Sequence, residues 1–124
     1  MANDDGSSSL FMDGELTKDE ALAALRMAAE RATDALPNAL AACETDADRQ
    51  QVMAARDSIV LAYLTALQKS LMHTAPHFEK LAKDLETEAK SIRKKAKELR
   101  DTVAAINLFT ELAKLAASLA LAFA

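Results

Sequence analysis

The chain has 124 residues and a net charge of -4, with 27% charged residues, two glycines, two prolines and one cysteine. That length allows one domain with its own hydrophobic core, and a single cysteine excludes an intramolecular disulfide. The negative balance, with a pI near 5.1, argues against nucleic acid as a partner, because phosphate neutralisation needs a surplus of Lys and Arg.

Helix formers dominate and aromatics are only 4% of the chain, so the expected fold class is all-α. Residues 1–15 (MANDDGSSSLFMDGE) carry both glycines, a serine run and several acids. They predict a flexible acidic tail ahead of a single helical domain over 16–124. Leu10, Phe11 and Met12 stand out as an apolar triplet in that polar setting, suited to folding back on the domain or to inserting into a partner. With no apolar stretch behind a positive charge at the start, no Sec-type signal is expected, and the expected location is cytoplasmic, with signal-independent export as the alternative.

Thr17 to Glu20 reads as a capping box with Leu16 as a staple, which starts the first helix. Leu22, Leu25, Ala29, Ala32 and Leu36 form its expected apolar stripe, and Pro37 is expected to end or kink it, with Asn38 to Cys43 able to form a further turn or two beyond. Thr45 or Asp46 caps a second helix running to about His73. Its first half is one-sided, whereas Ile59 to Leu67 (IVLAYLTAL) is apolar nearly all round, which predicts burial on every side.

Pro76 sits at the first position of a third helix. Phe78, Leu85, Ile92, Leu99 and Ile106 recur every seven residues, with Ala82, Ala89, Ala96 and Val103 four residues after the first four of them, the pattern of a helix packed lengthwise on others. Glu86 with Lys90 is an i,i+4 pair in the better orientation. With no Pro or Gly after Pro76 to break it, continuity to Ala124 is expected. A helix of that extent would be about 70 Å long, against roughly 30–45 Å for the first two. The architecture this predicts is an elongated antiparallel bundle of three helices, or four if the chain turns back near Asp101 and Thr102. An overhanging end would need cover from a partner, from another copy of the chain, or from a membrane.

That end, residues 103–124, has three faces. Asn107, Glu111, Lys114 and Ser118 form a polar stripe only about 40–60° wide. Leu108, Leu112, Leu115, Leu119 and Phe123 form a large apolar face. Ala113, Ala116, Ala117, Ala120 and Ala124 line the remainder, a surface that lets another helix approach closely. Nine Leu, Ile, Val and Phe residues favour membrane insertion by roughly 3–5 kcal/mol, but Glu111 and Lys114 each cost about 2.5–3.5 kcal/mol near the centre. The basic run Lys90, Arg93, Lys94, Lys95, Lys97 and Arg100 suits a solvated helix face, an acidic protein surface or an anionic lipid flank.

Chemistry is sparse. His73 and His77 have metal-ligand spacing, but Pro76 lies between them and no third ligand accompanies them. Asp46 with Asp48, and Glu86 with Glu88, lack an apolar cleft to shift their titration. Cys43 reads as a small buried hydrophobe. The expectation is therefore a non-enzymatic interaction protein without cofactor or metal: an adaptor, a secretion chaperone or an immunity or inhibitor protein. It would act through helical surfaces on another protein or on its own copies. The tail triplet and the apolar face of 108–123 are the expected contacts, and membrane association through 103–124 is the alternative.

Overall fold

The computed structural model describes residues 16–124. The expectations for residues 1–15, including the triplet Leu10, Phe11 and Met12, lie outside them. Four helices follow one another: α1 (Lys18–Ala41), α2 (Asp46–Leu67), α3 (Pro76–Lys97) and α4 (Thr102–Ala120). The fold is all-α.

Local chemistry accounts for each start. At α1 the Glu20 amide donates to Thr17 Oγ1 at 3.2 Å and the Thr17 amide to Glu20 Oε1 at 2.8 Å, so two otherwise orphaned donors are satisfied reciprocally. Leu16 tucks under that turn, only 2% exposed. Thr45 caps α2 by accepting from the Asp48 amide at 3.1 Å. Pro76 opens α3, where its missing N–H costs nothing.

Two boundaries differ from expectation, each for an identifiable reason. At Pro37 the helix does not end but continues for a further turn to Ala41, one of the two outcomes expected there. Pro37 and Thr33, the residue whose carbonyl loses its partner, both lie on the exposed side, so water can take over the missing hydrogen bond. α2 stops at Leu67 rather than near His73, because the amides that follow pair with the chain's other end. Ser70 N–H donates to Ala124 O at 3.1 Å, Met72 N–H to Ala122 O at 2.8 Å, and Ala124 N–H returns to Ser70 O at 2.9 Å.

The expected continuous helix from Pro76 to Ala124 is the second correction, and the four-helix alternative with a turn near Asp101 and Thr102 holds instead. α3 ends at Lys97, and Asp101 caps a separate α4 by accepting from the Ala104 amide at 2.8 Å. A helix can be interrupted without Pro or Gly when an N-cap side chain offers its backbone an alternative. α3 and α4 are then about 33 Å and 29 Å long, close to the 33 Å of α2, so the overhang disappears. Asp101→Ala is expected to cost about 1 kcal/mol, read as a lower urea midpoint. An unchanged midpoint would mean that the break does not depend on this cap.

Two hydrogen-bonded ties orient the helices. The Glu44 amide donates to Thr102 Oγ1 at 3.0 Å, joining the α1–α2 connection to the start of α4. The Ser70–Ala124 pairing joins the end of α2 to the end of α4. Hence α2 and α4 run parallel, as do α1 and α3. Two antiparallel hairpins, α1–α2 and α3–α4, pack so that α1 lies on α3 and α2 on α4, leaving α2 and α3 across the diagonal.

The buried face of α1, whose most extensive packing is with α3, is a stripe of mostly small residues. α1 buries Ala21, Leu25, Ala28, Ala32, Ala35 and Ala39, spaced alternately by four and three. α3 buries Ala82, Leu85, Ala89, Ile92 and Ala96, the part of the seven-residue pattern that precedes the break. On α1 the buried stripe is rotated toward the alanines relative to the expected one: Leu25, Ala29 and Ala32 are inside, but Leu22 and Leu36 are only half-buried. Past the break the register is lost, and Val103 is 66% exposed.

Candidate functional site: the outer face of α2

α2 buries few side chains: Val52, Ile59 and Ala66, one every seven residues. The run Ile59 to Leu67 is therefore not enclosed. Leu61 is 64% exposed, Leu64 47% and Leu67 43%, because among the described residues α2 packs mainly on α1 and α4. Val60 and Tyr63 sit half-buried beside them.

These residues line three shallow depressions along the outside of the first hairpin. One of about 330 Å³ lies between α1 and the end of α2, formed by Leu22, Ala23, Arg26, Tyr63 and Leu67, with Asp19 at its rim. A second of about 350 Å³ joins Ala29 and Thr33 to Val60 and Leu64. The third, of about 380 Å³, is framed by Arg56, Asp57, Val60, Leu61 and Leu64. Arg56 Nε donates to Asp57 Oδ1 at 2.8 Å, and Arg26 approaches Glu30 at 3.9 Å. The face is thus apolar at its centre and charged at its edges, the anatomy of a protein-binding surface. Covering the exposed parts of the three leucines would release on the order of 1 kcal/mol each.

The structure divides the residues singled out on α4 and just after it. Leu112, Leu119 and Phe123 are 1%, 0% and 5% exposed. They fill the interior of the chain itself and offer no free docking face. Leu108 and Leu115 are half-buried, and Leu108 lines a depression with Leu99 and Ala104 between α3 and α4. On the polar stripe Asn107, Glu111 and Lys114 are exposed and Ser118 half-buried. Glu111 pairs with Lys114 at 3.7 Å, both side chains largely in water, so the pair adds little stability. Among the described residues α4 is the one helix long and apolar enough by composition to cross a membrane.

The basic run is dispersed by local partners. Lys90 approaches Glu86 at 3.8 Å and Lys95 Nζ donates to Glu88 Oε1 at 3.1 Å. Lys94, Lys95 and Lys97 occupy the last turn of α3, where the helix dipole favours positive charge. Arg93 is exposed, and Arg100 donates to the Leu99 carbonyl at 3.3 Å.

His73 and His77 both flank Phe78, with ring centroids at 6.0 and 5.1 Å, and no group of three metal-ligating side chains occurs among the described residues. Cys43 is buried, its thiol donating to Ala39 O at 3.4 Å. Burial pushes the thiol above its ordinary 9.0, Asp48 adds to that, and Arg49 opposes it. Because the folded value is the higher one, the stabilisation is complete below the unfolded value and is lost as pH rises through the folded one. Alkylation of Cys43 is expected to be slow in the native chain and fast in denaturant, measured by mass spectrometry; equal rates would contradict its burial.

The outer face of α2 was not among the sequence-derived contacts. Its signal was the surplus of large apolar residues in the 59–67 run over what one buried stripe requires. Comparison of the chain with protein-family models, curated proteins and solved structures finds no match.

Proposed function

We propose that this chain is a non-enzymatic protein-interaction module, of the adaptor, secretion-chaperone or immunity-protein kind, which works by presenting the outer face of its first hairpin. The observation that supports this is the exposure of Leu61, Leu64 and Leu67 on one helix, at 64%, 47% and 43%. A contiguous apolar patch of this kind with a charged rim is what an interface presents before its partner arrives. The test is affinity capture from the native host with the full chain and with Leu61→Glu. A partner held by the first and lost by the second supports the reading. Identical captures by both, or no capture and no self-association, would reject it.

Membrane association through residues 103–124 is a second reading, favoured by the composition of α4. It requires Phe109, Leu112 and Leu119 to leave the interior, where each is at most 1% exposed. Flotation of the full chain with anionic liposomes would favour it, and failure to float would reject it.

A further inference from the structure

Residues 98–101 turn α3 into α4 without the usual stop signals. The four residues, Glu-Leu-Arg-Asp, include no glycine or proline. Helices commonly end on a left-handed residue, yet Glu98, which closes α3, has φ -97° and ψ 2°, close to helical values. The apolar spacing in the sequence ignores the turn as well. Steps of four and three run without a phase change from Leu85 through Ala96, Leu99 and Val103 to Ile106, the spacing of a coiled-coil stripe. The folded chain makes little use of that stripe past the turn: Leu99 and Ile106 are half-buried and Val103 is 66% exposed.

The turn is capped locally. Asp101 is extended, at φ -151° and ψ 166°, and its Oδ1 accepts from the Ala104 amide at 2.8 Å. Bringing residues 98–101 into helical geometry would make 76–120 one helix of about 68 Å. α4 would then leave its seat, and Phe109, Leu112 and Leu119, each at most 1% exposed in the closed chain, would lose their cover. The cover that fits them is the seat they left, against α2 and α3. A second copy opened in the same way offers an identical one, so the fold itself names the occupant.

We propose that two copies of this chain exchange α4: in each, residues 98–101 straighten, α4 takes the seat vacated in the other copy, and Leu99 and Val103 of the two long helices meet across a two-fold axis. The contacts of α4 with α2 and α3 and the Ser70–Ala124 pairing are remade between chains. The closed and exchanged forms then differ only at residues 98–101 and at the new crossing, the condition under which exchange is a low-cost route to a dimer. This inference goes beyond the interaction reading and does not depend on the outer face of α2.

The experiment refolds the full chain at low micromolar and at near-millimolar concentration and separates the products by size exclusion. The expected result is a species of twice the 13.3 kDa chain mass in the concentrated sample, which reverts slowly on dilution because α4 has to unseat. Glu88 and Glu111 line one depression between α3 and α4 in the closed chain, and they report which chain α4 sits on. With Glu88→Cys and Glu111→Cys in a Cys43→Ala background, a short bis-maleimide should link the monomer fraction within one chain and the dimer fraction between chains, read on a denaturing gel. Arg100→Gly, at an exposed position, places a poor helix former in the straightened segment and should weaken the dimer about fivefold per hinge, roughly twentyfold in all. Asp101→Ala removes the cap that only the closed form uses and should strengthen it by a similar factor. A chain that stays monomeric at every concentration, a dimer fraction linked only within chains, or a dimer indifferent to both hinge variants overturns the exchange.

Discussion

Phe109→Ala is expected to destabilise the chain by about 3–5 kcal/mol, the cost of emptying a fully buried aromatic site that its surroundings only partly refill. Phe109 is 0% exposed and heads the largest fully buried side chains. It lies on α4, which packs against both α2 and α3, so the cavity would open where the two hairpins meet. Domains of this kind are stable by only about 5–15 kcal/mol, and the variant should lose a large part of its urea resistance. Val103→Ala, on the same helix but 66% exposed, should stay within about 0.5 kcal/mol of the parent. Equal effects at the two positions would mean that α4 does not dock by the face of Phe109, Leu112, Ala116 and Leu119.

Ala32→Leu should be nearly as damaging, for the opposite reason. Ala32 is 0% exposed and sits midway along the buried alanine stripe of α1, the helix that packs most extensively on α3. Small residues there allow close backbone approach, so three added heavy atoms have nowhere to go without pushing the helices apart. Overpacking of this sort costs about 1–3 kcal/mol, and the seam runs the length of the helices, which leaves little room for local relief. Ala23→Leu, on the exposed side of the same helix, serves as the comparison and is expected to fall within about 0.5 kcal/mol of the parent. The readout is the urea midpoint with helicity monitored. A midpoint unchanged by Ala32→Leu would place the α1–α3 contact elsewhere.

What was legible in the sequence was local. The capping box at Thr17 and Glu20, the cap at Thr45 and the Pro76 start each depend on a few neighbouring residues. So does the α3 stripe of Ala82, Leu85, Ala89, Ile92 and Ala96, which follows from helical periodicity alone. The Asp101 cap is also local, but an aspartate can end one helix and start the next only if the chain gains by turning back, and that gain comes from packing α4 on α2 and α3.

Tertiary structure alone decided which apolar surfaces are used. Ile59 to Leu67 reads as a buried centre, and Leu112, Leu119 and Phe123 read as a free face; the assembled hairpins leave Leu61, Leu64 and Leu67 of the first exposed and bury the second. The reason is geometric. Once α1 lies on α3 and α2 on α4, α2 packs among the described residues mainly on two neighbours, so Leu61 and Leu64 are left exposed, while the large residues of α4 close the core.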